Sequence, residues 1–200
     1  MTEHVTGGER DANSVRRGAA AATRWLTALS IAAFALVVLA SCIRLAQHVN
    51  VPGEVGSGNW ALVDFRDAVY YPTVSFLSGE NPYDTEKFLS HFPVENAFPP
   101  FTPLFLLTHA PCALLPHAPA QLLYFVITAL LTVVLAAFTL KTCGANVNVA
   151  SVAGLSTIIL ASRPGHWNLM LGQVTLEFVL AVYVALSFGR RSAWLSGLAL

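Results

Sequence analysis

Charged side chains are scarce in this sequence. Of its 200 residues 11% are Asp, Glu, Lys or Arg and 55% are hydrophobic, whereas soluble domains carry roughly 25% and 45–50%. The 11 acidic and 11 basic residues cancel, which leaves none of the basic excess that a phosphate backbone selects, so no nucleic-acid partner is expected. The three cysteines, Cys42, Cys112 and Cys143, sit in or beside apolar segments without paired spacing, which indicates neither a disulfide framework nor a metal site. None of the six histidines belongs to a His-Glu-x-x-His pattern, and both a Gly-x-x-x-x-Gly-Lys loop and a metal-binding Asp-x-Asp pair are missing. No cofactor is therefore expected.

Long uncharged runs are plentiful. Residues 25–43 form 19 uncharged positions between Arg24 and Arg44, about 28 Å as a helix and close to a hydrocarbon core. Residues 118–140 form a second run of 23, closed by Lys141, and 98–115, 147–162 and 168–188 are shorter or less clean candidates. Each is expected to be helical, because a lone strand in lipid leaves its backbone groups unpaired. Leu39-Ala40-Ser41-Cys42 has the form of a lipoprotein cleavage box, but the preceding run is long for a signal peptide and further spans follow.

Charge also sets an orientation. Arg10, Arg16, Arg17 and Arg24 lie in a segment rich in small and polar residues, which reads as a disordered cytoplasmic tail over 1–24. The chain then enters the membrane from inside, and the acidic segment 44–97 faces outward. Within it, residues 63–77 set polar Asp64, Asp67, Tyr71 and Ser75 against apolar Phe65, Val69, Phe76 and Leu77 at helical spacing, which predicts an amphipathic helix at the interface. Pro72 should kink it and Gly79 should stop it.

Asp64-Phe65 with Tyr70-Tyr71 is followed by Gly79-Glu80-Asn81-Pro82-Tyr83, by Phe98-Pro99-Pro100 opening an apolar run to Leu114-Leu115-Pro116, and by Gly172-Gln173-Val174. In that order these pieces resemble the GT-C class of membrane glycosyltransferases, most closely the polyprenol-phosphate-mannose-dependent alpha-mannosyltransferases, from about Trp60 to the last residue. Two positions depart from the family: Phe98 stands where tyrosine is frequent, and Thr175 where asparagine is frequent. Both bear on donor or acceptor identity more than on the reaction.

The resemblance implies an all-α integral membrane protein, a multi-helix GT-C-like transmembrane bundle whose outward-facing first loop carries interfacial helices. It also implies inverting transfer of a hexosyl group, mannosyl in the family, from a polyprenyl-phosphate sugar to a lipid or glycan acceptor at the outer face of a bacterial inner membrane. In that scheme Asp64 deprotonates the acceptor hydroxyl. The residues allow the same chemistry: Asp67, three positions on, would raise the Asp64 pKa by like-charge repulsion, while Arg66 could oppose the shift or bind the departing phosphate. The competing reading is that Asp64 only caps the interfacial helix. Tyr70, Tyr71 and Tyr83 are candidates for stacking on sugar, or anchors at the interface, and Asn81-Pro82 reads as a turn.

Glu177 is the only acidic residue within a candidate span, and Gln173 precedes it by four, on the same helical face. Such a pair should point into the bundle, lining a substrate channel or bonding a neighbouring helix. Three full crossings over 98–162 would set Gly172-Gln173 on the cytoplasmic side. Arg190-Arg191 favour the opposite, which requires one segment not to cross, and 147–162 is the shortest. Residues 192–200 read as the opening of another helix, as in an N-terminal portion of a longer protein. A transporter or flippase using Gln173 and Glu177, and a non-catalytic scaffold, are the alternatives from other classes.

Overall fold

The computed structural model describes residues 6–49, 59–95 and 101–188. Phe98-Pro99-Pro100, Arg190-Arg191 and the apolar stretch 192–200 lie outside the described residues. Within them the chain is helical with no strand, as the apolar runs require.

Helix α1, Thr6–Gln47, contains a candidate membrane span from Val15 to Gln47. It takes in the arginine-bearing segment read from sequence as an irregular tail. Ala19-Ala20-Ala21-Ala22 supplies the strongest helix-forming residue four times over there, and Thr23 Oγ1 bonds back to the Ala19 carbonyl at 2.9 Å. Leu26, Leu29 and Leu36 stay more than half exposed, a surface suited to lipid.

The second long span is helix α6, His117–Thr142, introduced by Pro116. Its buried face carries Gln121, Tyr124, Thr128 and Thr132. The two threonine hydroxyls bond back to the carbonyls four residues earlier, at 2.9 and 3.0 Å, so a polar stripe enters the bundle without unpaired groups.

Helix α7, Val149–Ala161, starts in a reciprocal cap: Asn148 Oδ1 accepts from Ser151 N at 3.0 Å, and Asn148 N donates to Ser151 Oγ at 3.1 Å. It packs between α1 and α6 and runs parallel to α1, since Gly154 lies by Ser30 while His166 beyond its end meets Arg44. Ser162 then closes α7 and caps α8, Arg163–Leu171. A Cβ at Gly165 would come within 1.9 Å of the Ile159 carbonyl, so only glycine fits this turn. Helix α9, Thr175–Phe188, leaves α8 at an angle of 111°.

Residues 147–162, read from sequence as the short segment, hold in α7 only 13 residues, below the length of a full span, and 98–115 fails to form one helix at all. Its described part holds α4, Pro103–Thr108, and α5, Ala110–Ala113, broken at His109. Six residues span about 9 Å, far short of a bilayer. Pro111 and Pro116 prevent continuation.

The helix expected over 63–77 forms without a break, but it is buried and does not lie as an amphipathic surface helix. Phe65–Tyr70 is a π-helical turn, followed by α2, Tyr71–Leu77. Both faces are inside: Phe65 and Val69 are buried and so are Arg66, Asp67 and Ser75, while Leu77 is exposed. Periodicity was misleading because Asp67 brings its own counter-charge in the adjacent Arg66. Pro72 opens α2, Gly79 closes it with φ 77°, and Asn81 Oδ1 accepts from Tyr83 N at 3.1 Å to form the anticipated turn. Asp84 caps α3, Thr85–His91, accepting from Lys87 N at 3.2 Å.

Candidate active site at Asp64

The backbone before Asp64 is fixed at two points. Ala61 N donates to the His48 carbonyl at 3.0 Å, tying the segment to the end of α1, and Leu62 N donates to the Met170 carbonyl at 2.7 Å, tying it to α8. Leu62 is fully buried with φ 57°, a conformation that costs a non-glycine residue about 1–2 kcal/mol. Gly172, at φ 71°, sits against this bend: a Cβ there would lie 2.7 Å from Phe65 Cβ and 3.0 Å from Leu62 Cδ2.

Asp64 stands at the head of the π-helical turn with helical backbone angles and makes no capping bond through its side chain. It lines instead a cavity of about 230 Å³ together with Ala68, Phe101, Gly172, Gln173, Val174 and Thr175. Burial holds the Asp64 pKa above its ordinary 3.8; a hydrogen bond with the Gln173 side chain pulls the other way, and the Asp67 charge adds to the rise. The like-charge effect expected from Asp67 is thus present but secondary to burial.

Asp67 and Arg66 face elsewhere. Both are fully buried and joined side on: Arg66 Nε donates to Asp67 Oδ1, and Arg66 Nη2 to Asp67 Oδ2 at 3.0 Å. Arg66 also approaches Glu95 at 3.6 Å, and Glu95 N donates to Asp67 Oδ2 at 3.1 Å. The pair clasps the far end of the loop.

The tyrosines are placed around the cavity and do not line it. Tyr70 donates its hydroxyl to the Leu115 carbonyl at 2.8 Å, and Tyr83 donates to the Phe101 carbonyl at 2.7 Å, so Tyr83 holds a residue of the cavity wall. Tyr71 lies parallel to the His117 ring at 5.7 Å. Burial pushes the Tyr70 and Tyr71 phenols above their ordinary value.

Gln173 and Glu177 do not share a helical face, because α9 begins at Thr175 and Gln173 precedes it in the turn after Gly172. They serve different cavities. Glu177 Oε1 accepts from the Tyr124 hydroxyl at 2.9 Å, and Glu177 Oε2 lies 3.2 Å from His109 Nε2; the three line a second cavity of about 370 Å³. Sequence reading singled out neither His109 nor Tyr124. Tyr124 belongs to a polar stripe at spacings of three and four on α6, a legible signal, whereas His109 is a lone histidine in an apolar run.

A comparison with protein families matches residues 99–200 to glycosyltransferase family 87. The chain belongs to that family. This family 87 protein is therefore a membrane glycosyltransferase: its helices and its kinship agree. The matched stretch contains α4 to α9, including Gly172-Gln173-Val174, and begins after the loop that carries Asp64. No curated protein and no solved structure matches the sequence.

Proposed function

We propose that this family 87 glycosyltransferase moves a hexosyl group, mannose by resemblance, from a polyprenyl-phosphate donor to a hydroxyl of a lipid or glycan acceptor at the outer membrane face, with inversion and with Asp64 as general base. The observation that carries the reading is the state of Asp64: a carboxylate with no capping duty, facing a cavity, with a pKa raised mainly by burial. A base whose pKa lies closer to neutrality than an ordinary aspartate is better matched to abstracting a hydroxyl proton. The acceptor oxygen attacks the anomeric carbon, its proton passes to Asp64, and the bond to phosphate breaks to release polyprenyl phosphate in the bilayer. Gln173 orients the carboxylate by its hydrogen bond, and Phe101 and Val174 supply an apolar wall that excludes water.

In this arrangement α1 runs outward, α6 inward, α7 outward and α9 inward, with α4 and α5 beside the outer surface. Asp64 and Gln173 then share one side, as their contact requires. The decisive measurement is transfer by Asp64→Asn in the full-length protein. Loss of transfer by a factor on the order of 10²–10⁴, with accumulation near wild type, is expected. Undiminished transfer from a verified polyprenyl-phosphate donor would remove Asp64 from the chemistry.

A further inference from the structure

The His109, Tyr124 and Glu177 cluster lies within apolar surroundings and lines a cavity other than that of Asp64. Its bonding is complete. Tyr124 donates to Glu177 at 2.9 Å, His109 Nε2 lies 3.2 and 3.4 Å from the two Glu177 oxygens, and His109 Nδ1 faces the Phe105 carbonyl and Thr108 Oγ1, each at 3.0 Å. Thr108 itself donates to the Phe105 carbonyl at 2.6 Å, so Nδ1 is left as a donor and a proton is shared between Nε2 and the carboxylate. A carboxylate in such a place is costly unless it does something that apolar packing cannot do.

What it does follows from its neighbours. The Tyr124 ring is stacked on Phe65 at 4.3 Å and 19°, and Phe65 is the residue after Asp64. Phe65 Cβ is also the atom on which Gly172 closes, next to Gln173. On the other side, the His109 ring meets Phe105 at 4.5 Å, and Phe105 meets Phe101, a wall of the Asp64 cavity, at 4.4 Å. Glu177 stands two residues after Thr175, another wall. Each route from the cluster into the Asp64 cavity is thus one or two contacts long, and each arrives from a different helix.

We infer that His109, Tyr124 and Glu177 are positioning residues that fix Asp64 against Gln173 and Phe101, through the Tyr124 ring on one side and the α4–α5 break on the other. The inference rests on the reading of Asp64 as the base. A directional hydrogen-bond cluster holds one arrangement of three helices, where an apolar contact would let them slide. Misplacement by about 1 Å can cost a reaction on the order of 10²-fold.

The test is steady-state transfer by the full-length protein in vesicles with a polyprenyl-phosphate sugar, recording kcat, donor KM and melting temperature for each variant. Glu177→Leu and Tyr124→Leu should lose about 10- to 100-fold in kcat with KM changed less than about twofold, the pattern of a group that acts on the reacting geometry alone. Glu177→Gln keeps an acceptor for Tyr124 and a donor for His109, and should hold kcat within about threefold of wild type. If the leucine variants do not accumulate, Tyr124→Phe, which keeps the stack and removes only the hydroxyl, should still lower kcat by about three- to tenfold at unchanged KM. Wild-type kcat in Glu177→Leu or in Tyr124→Phe, while Asp64→Asn is inactive, overturns the inference. So does a fall in Glu177→Gln as deep as in Glu177→Leu, which would make the carboxylate itself chemical. Transfer by Asp64→Asn would instead overturn the assignment of the base.

Discussion

Gly172→Ala is the sharpest probe of how the Asp64 cavity is closed. Two costs fall on this substitution. The backbone at φ 71° is left-handed, a penalty of about 1–2 kcal/mol for any residue with a Cβ. The new methyl would also lie 2.7 Å from Phe65 Cβ and 3.0 Å from Leu62 Cδ2, and forcing those groups apart adds about 1–3 kcal/mol. Gly144 separates the two, because it has φ 67° but nothing within 4 Å of a Cβ, so Gly144→Ala carries only the first cost. In detergent unfolding monitored by tryptophan fluorescence, Gly172→Ala should therefore lose about 2–5 kcal/mol and Gly144→Ala about 1–2 kcal/mol. Because the strain at position 172 is relieved by moving Phe65, transfer should fall as well, and only for Gly172→Ala. Equal destabilisation by the two alanines, with equal transfer, would refute the close approach of α8 to the Asp64 segment.

Three further outcomes are expected. Transfer should decline as pH falls through the Asp64 pKa, at a pH above 3.8; the fold binds this proton more tightly than the unfolded chain does, so stability is fullest below 3.8 and is lost as pH rises through the raised value, and Asp64→Asn should melt no lower than wild type at neutral pH, the melting curves deciding. Asp67→Asn leaves Arg66 buried with its main counter-charge gone, and should lose about 3–5 kcal/mol and accumulate poorly, whereas Asp84→Asn, an exposed cap, should change stability by less than about 1 kcal/mol in the same assay. In a background free of Cys42, Cys112 and Cys143, a cysteine at Ser90 should react with an impermeant thiol reagent from outside and one at Asn146 only from inside; reaction of both from one side would overturn the course of α6.

The bundle was legible wherever a single physical demand governed a long segment. Residues 25–43 and 118–140 had to be helical because lipid leaves no other way to satisfy the backbone, and both lie within long helices. Gly79 and Asn81-Pro82 were readable because their conformations are local. The reading failed where neighbours decided. Residues 63–77 have the period of a surface helix, but Arg66 and Asp67 neutralise each other and can go inside. Gln173 and Glu177 are spaced like one helical face, yet the left-handed Gly172 delays α9 until Thr175. The site was half visible: Asp64 and Gln173 were both singled out, but nothing linear says that they touch, and the His109 contact with Glu177 joins residues 68 positions apart.

The π-helical turn at Phe65–Tyr70 makes the length of this loop as informative as its composition. Such a turn holds one more residue than an α-helical one would between the same two ends. Removing one residue from it would let the backbone relax to an ordinary α-helix between the same two ends, so the residues beyond Tyr70 would keep their places and those inside the turn would be re-aimed. Arg66 and Asp67, inside the turn, would point away from Glu95 while Asp64 kept its place beside Gln173. The loop can accept many exchanges of side chain, but its residue count sets where Arg66 and Asp67 point, and a gene that lost a single codon there would keep α2 in register while loosening the clasp on Glu95.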